Sequence, residues 1–286
     1  MKLDRRQAIV TTAMVTPALA LMIVFLAFPL LIVIGYSFSG RDAYGGIVPE
    51  FTINPYLELL NPVYLPIFYN SFTIAAGTTA LCILVGYPVA YFIVFRAGRW
   101  APVLLVALLI PFWINFLIRI SAWVVMLGYN GVINESLLFV GLTEEKIRFL
   151  GTYGAVMVGM VYAFLPLAVF PIDAALQPID RRLLEASRDL GANPAVGFVR
   201  VTLPLSLPGV LAATLFVFVP SMGVFAIPVL LGGGKSIIIG NLIVQLFLEF
   251  RNMPLGAAVS VVLLVFSSIG ILLYMRAMRA AEAMRT

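Results

Sequence analysis

The sequence predicts an all-α integral membrane protein with six transmembrane helices. Three observations predict it. First, 62% of the 286 residues are apolar and only 11% are charged, with a mean hydropathy of +1.08. A soluble domain carries about 25% charged residues, so this chain has too little polar surface to face water all round. Second, six apolar runs reach the ~20 residues that a helix rising ~1.5 Å per residue needs to cross a ~30 Å hydrocarbon layer. Third, Lys and Arg collect in alternate connections, as cytoplasmic loops require.

The six spans are expected near 9–37, 67–95, 101–127, 151–177, 206–231 and 254–275. The first begins like a signal peptide, with Lys2, Arg5 and Arg6 ahead of an apolar run and small residues at Ala18 and Ala20. The run continues to Phe38, too long for a cleaved leader, and is read as an uncleaved helix. The connection 38–66 carries Tyr44, Pro55, Tyr56 and Pro62 and suits the membrane surface. The whole of 1–286 is expected to be a single transmembrane domain.

Orientation follows from the basic residues. With the N-terminus inside, Arg96, Arg99, Arg181, Arg182, Arg188, Arg200, Arg276, Arg279 and Arg285 join the N-terminal cluster on the inner side, while Arg41, Lys146, Arg148, Lys235 and Arg251 lie outside. Both termini and the stretch 180–204 are then cytoplasmic in a multi-pass membrane protein.

Composition also excludes chemistry. There is no histidine and one cysteine, Cys82. That removes the Ser-His-Asp triad, an internal disulfide and the usual zinc sets. The segment LGGGKS at 231–236 lacks the spacing of a phosphate-binding loop and reads as a turn. The net charge of +5 fits cytoplasmic loops rather than nucleic-acid binding. No enzymatic activity, metal or cofactor is expected in this chain.

The stretch DRRLLEASRDLGANPAVGFVRVTLP, 180–204, is the most informative. Asp180 can cap a short helix, RRLLEASRDL, that places Leu183, Ser187 and Leu190 on one face with Ala186 beside them. Glu185 and Arg188, three apart, can pair. Gly191 suits the left-handed residue that ends a helix. Asn193 caps a second helix with Pro194 at its first position, and Pro204 is expected to break it before the fifth span. A stiff hairpin of this kind fits a groove on a partner protein. Contact of its arginines with lipid phosphates is the alternative.

This stretch resembles the EAA loop of ABC importer permeases, in which EAA is followed after three residues by Gly and nine further on by I-x-LP. Glu185, Ala186, Ser187, Gly191, Val201, Leu203 and Pro204 match in spacing, with Ser187 and Val201 departing conservatively. The resemblance implies a type I ABC importer transmembrane domain whose cytoplasmic coupling helix, with Glu185, Ala186, Ser187, Arg188 and Gly191, seats on an ATPase subunit. It implies as partners a homologous second permease, two ATPases that bind ATP and Mg, an external solute-binding protein and membrane lipid. A second segment, 108–138, is similar to polyamine (spermidine/putrescine) permeases at Pro111, Trp113, Leu117, Arg119, Ala122, Trp123, Gly131 and Asn134. Related branches carry amino-acid derivatives, phosphonate, iron or other ions.

Within the spans, Arg119 costs ~2.5–3.5 kcal/mol at a helix centre, so it must face the interior or snorkel. It lies either on the translocation path or against a carboxylate or backbone carbonyls. Trp113 and Trp123 offer π faces to a cation or anchor the interface. Asp173 could attract a departing cation or pair with Arg181. A stand-alone secondary transporter would need intramembrane acids, and Asp173 alone is available.

Overall fold

The computed structural model describes residues 15–17, 19–42, 45–234 and 237–283. Lys2, Arg5, Arg6, Ala18, Tyr44, Lys235 and Arg285, and residues 9–14 of the first expected span, lie outside the described residues. The fold is helical apart from a hairpin of two-residue strands, β1 (Gly40–Arg41) and β2 (Ile47–Val48), paired antiparallel. Five helices are long and apolar enough to cross a membrane: α1 (Val15–Ser37), α3 (Leu65–Phe95), α7 (Tyr153–Leu176), α9 (Pro194–Gly223) and α12 (Met253–Ala283). Between them lie α2 (Asn54–Glu58), α4 (Ala101–Trp113), α5 (Phe116–Met126), α6 (Val132–Phe139), α8 (Arg181–Asp189), α10 (Ala226–Gly232) and α11 (Ile239–Glu249).

Two expected spans are corrected. The third is not one helix but α4 and α5, bent by 93° at a short break. Ile114 is extended, and the Asn115 side chain caps α5 by accepting from the Leu117 N–H at 2.9 Å. An uninterrupted apolar run reports lipid exposure, not straightness. The fifth does not begin at 206. Pro204 does not break the helix, because a π-helical turn over Phe198–Thr202 carries α9 from Pro194 through to Gly223. The wider turn absorbs the missing proline N–H within a continuous helix. The helix ends instead at extended Val224, so the expected run to 231 is completed by the separate α10.

Chain contacts define two compact units, Met1–Tyr64 with Ile243–Val265, and Leu65–Leu242 with Phe266–Thr286. In the first, Phe38 stacks on Phe51 with ring centroids 5.4 Å apart and Tyr56 donates to Ser37 Oγ at 2.7 Å. Arg41 donates to the Phe250 carbonyl at 2.9 Å, which ties the β-hairpin to the loop before α12. None of the most apolar window of α1 is buried.

In the second unit, α3, α7 and α9 pack about a shared core with Ile74, Met160, Ile172 and Val217 fully buried. Lipid is as apolar as leucine, so burial alone does not hold these helices together, and close backbone approach must. The small residues are placed for it. A Cβ on Gly209 of α9 would lie 2.5 Å from the Pro171 carbonyl oxygen and 2.4 Å from the Ala175 Cβ of α7. Gly209→Leu is therefore expected to force α7 and α9 apart and cost about 1–3 kcal/mol. A thermal-denaturation midpoint in detergent that matches the parent would contradict this packing.

Candidate docking hairpin and broken span

Helix α8 and the start of α9 form the expected hairpin. Asp180 is extended, and its carboxylate accepts from the Arg182 N–H at 2.9 Å. At the other end Gly191 takes φ +82°. The Gly191 N–H donates to Arg188 O at 2.8 Å and the Ala192 N–H to Ser187 O at 3.0 Å, the paired bonds of a Schellman stop. Two residues later Asn193 Oδ1 accepts from the Val196 N–H at 2.8 Å, with Pro194 at the first helical position. Gly197 then lets the two helices touch, for a Cβ there would sit 3.1 Å from Ser187 Oγ. Every turn of the hairpin is thus fixed by its own sequence.

The surface of the hairpin is what a partner would meet. Leu190 is 89% exposed and Leu183 48%, so these leucines beside α8 are largely uncovered by the described residues. Glu185, Ala186 and Arg188 are exposed beside it. Among the described residues Glu185 and Arg188 form no ion pair, contrary to expectation. Both stay in solvent, where such a pair is worth only ~0.3–0.5 kcal/mol. A groove of ≈ 430 Å³ lies between the two short helices, lined by Ser187, Leu190, Gly191, Asn193, Val196 and Arg200. Leu203 is half-buried and Pro204 exposed at the root.

The root is anchored. Tyr87 of α3 shares a hydrogen bond with Ser206 of α9 at 2.6 Å and meets the Phe198 ring edge-on at 5.4 Å. Arg181 donates to the Val94 carbonyl at 3.1 Å. It does not pair with Asp173, which is 4% exposed and accepts from Gln177 Nε2 at 2.7 Å. Nothing in the sequence singled out Tyr87 or Ser206, whose partnership joins positions 119 apart.

The broken third span gathers the other expected residues. Arg119 is buried, and its guanidinium donates to the Pro111 carbonyl across the bend at 3.1 Å. It also lies over the rings of Phe112, Phe116 and Tyr162 at 5.1, 5.6 and 5.9 Å. Of the readings open for Arg119, the backbone-carbonyl pairing is the one observed. Trp123 packs edge-on against Tyr162 at 5.4 Å, whereas Trp113 is 77% exposed. Tyr162 was missed, because it lies in another span and no local pattern marks it.

Gly131 and Asn134 shape the connection after α5. A Cβ on Gly131 would lie 2.4 Å from two carbonyl oxygens, of Val125 and Met126. Fully buried Asn134 donates to the carbonyls of Gly128, Tyr129 and Ile147 and accepts from the Ile147 N–H. Lys146 pairs with Glu135 at 2.7 Å on the rim of this turn.

Apolar helices long enough to span a membrane, with a capped hairpin exposed between two of them, are the layout of a membrane permease with a docking loop. Residues 83–283 match the model of the binding-protein-dependent transport system inner membrane component family, and the chain belongs to that family. It is 38% identical over 266 residues to the spermidine/putrescine transport system permease protein PotB of Escherichia coli (strain K12), covering 93% of this chain and 97% of that protein. To the PotB of Haemophilus influenzae it is 41% identical over 256 residues, with 90% of each covered. Among solved structures it is similar to a bacterial ABC transporter that imports alginate, with TM-score 0.76 and 17% identity over 98% of both chains. The MetNI methionine transporter follows with TM-score 0.55 and 22% identity over 79% of this chain and 98% of that one. The fold is that of type I ABC importer permeases, and the chain is a multi-pass inner-membrane protein.

Gly191→Ala is expected to strain the hairpin stop by about 1–2 kcal/mol, the usual cost of a left-handed Cβ. Gly191→Asn should cost less, since Asn tolerates that conformation. Amide hydrogen exchange at Leu190 and Ala192 should accelerate about fivefold or more in the Ala variant, and equal rates in parent and variant would contradict the assignment.

Proposed function

We propose that this chain is one permease subunit of an ATP-driven importer for a polyamine such as spermidine or putrescine. It forms half of a pore with a homologous permease. Two ATPase subunits, which bind the ATP and Mg, seat on the coupling hairpins at 180–204, and an external binding protein delivers the solute. Both termini and the hairpin are cytoplasmic. The observation that carries the coupling role is the exposure of the leucines beside α8, with Leu190 89% exposed on a hairpin whose turns are all capped. The polyamine assignment is supported by the names of the relatives that align over nearly the full chain.

The mechanism follows from stiffness. Force applied to α8 passes through the Gly191–Asn193 turn into α9, which runs unbroken from Pro194 to Gly223. Closure of the ATPases on ATP would carry α8 with them, tilt α9 as a lever and move its far end, so the pore alternates between inward-open and outward-open. The substrate path needs no tight site, because selection falls to the binding protein.

Replacing Leu190 by Asp removes little packing from this exposed position and costs the C-terminus of α8 no more than about 1 kcal/mol, but puts a charge where an apolar contact forms. Such a variant should insert normally, yet retain less than about a tenth of the co-purifying ATPase, a loss of the size typical for an interface hot spot. Normal ATPase recovery would overturn the docking role. Cells lacking their own polyamine uptake, given this chain with its partner genes, should accumulate labelled putrescine or spermidine. Failure there with intact ATPase binding would overturn the substrate and leave the coupling reading standing.

A further inference from the structure

An apolar groove of ≈ 500 Å³ runs between α3 and α4, lined by Pro88, Val89, Phe92, Ile93, Leu104 and Leu108 with small Ala107 on its wall. Its size falls within the ~300–1,000 Å³ of ordinary ligand pockets. Two stripes form its sides at helical spacing. On α3, Pro88 and Phe92 continue one turn further to Arg96. On α4, Leu108 and Leu104 lead back one turn to Trp100. Pro88 and Ala107 project little, which gives the groove its depth, while Phe92 and Trp100 are 54% and 58% exposed along its open side.

By helical spacing, the chain one turn beyond the groove-lining residues is cationic. Arg96 and Arg99 are both exposed, and Arg99 lies over the Trp100 ring at 5.7 Å. Neither forms an ion pair among the described residues. The chain holds no Asp or Glu between Glu58 and Glu135, so no local carboxylate on α3 or α4 neutralises them. Arg181, which reaches the Val94 carbonyl and the Phe95 ring, adds a third positive charge at the same helix end. An apolar slot between two apolar helices, followed one turn on by a Trp and unpaired arginines, has the layout of an acyl chain topped by a phosphate.

We infer that this groove holds one acyl chain of an anionic phospholipid whose headgroup phosphate is bound by Arg96 and Arg99. The match is in charge as well as shape. Guanidinium binds phosphate bidentately, and Arg99 is held in place by its neighbouring ring. Since Arg181 begins the docking hairpin, the bound headgroup would lie beside the segment that moves.

The test uses the full chain in phosphatidylcholine vesicles, with Trp113→Phe and Trp123→Phe leaving Trp100 as the only one of the three indoles. Lipids brominated on the acyl chain quench it on contact. Brominated phosphatidylglycerol is expected to quench about fivefold more effectively than the same fraction of brominated phosphatidylcholine, the preference expected from roughly one net charge contact. Arg96→Gln with Arg99→Gln should abolish that preference, bringing quenching by the two lipids to the same level. Arg96→Lys with Arg99→Lys, which keeps the charge, should retain most of it and so shows that the doubly substituted chain still inserts. Ala107→Leu, which fills the slot, should reduce quenching by both lipids. Equal quenching by the two lipids, or a preference that survives the Gln pair, would overturn the inference. So would protection of Trp100 from both lipids, which would mean that a protein segment covers the groove.

Discussion

The constraint on which this structure depends is that hydrocarbon accepts and donates no hydrogen bonds. A helix satisfies its own backbone, but each break exposes several N–H and C=O groups that lipid cannot satisfy. This chain breaks its helices repeatedly and answers each break with a side chain. At the bend between α4 and α5, Asn115 takes the Leu117 N–H and Arg119 takes the Pro111 carbonyl. After α5, Asn134 closes the turn with four hydrogen bonds. Past α9, Asn241 donates to the Phe225 carbonyl at 3.0 Å and Ser71 accepts from the Ile239 N–H at 2.7 Å. Apart from Asn115, which is exposed, these polar residues are buried because the backbone needs them, and none is explained by the apolar pattern around it.

The same constraint governs α9. A proline early in a helix removes one donor, and Pro204 and Pro208 do so just above the hairpin root. A sharp break there would decouple the hairpin from the span. The π turn over Phe198–Thr202 preserves continuity instead, at the position where Tyr87, Phe198 and Ser206 lock the helix to α3. In the proposed importer this makes the root a fulcrum, with a rigid arm on each side. Gly209, a little further along, sets α9 directly on the α7 backbone.

Much of this was legible in the sequence because it depends on local rules. Spans follow from hydropathy, and α3, α7 and α12 lie close to where apolar length puts them. The hairpin was legible residue by residue, since Asp180, Gly191, Asn193 and Pro194 each act on their immediate neighbours. What failed to show was tertiary. The bend at 114–115 sits in a run with no polar break except one Asn, and an Asn among apolar residues reads equally as a buried amide or a cap. The Glu185–Arg188 pair was allowed by spacing, but spacing says nothing about solvent. Pro204 was read as a stop because π turns leave no compositional mark.

Arg119 shows how the cost of a charge in lipid is met within the chain. Its cost of ~2.5–3.5 kcal/mol at a helix centre is offset by a carbonyl bond and three aromatic faces, each ring worth up to ~2 kcal/mol once desolvated. All of these partners belong to α4, α5 and α7, so the cation holds the bend and joins two spans at one point. A cationic solute gains nothing from such a group, and a rigid scaffold gains a great deal. Asp173 is likewise buried and accepts from Gln177, one residue past the end of α7, while Arg119 Nε and Asp173 Oδ1 have no hydrogen-bond partner among the described residues.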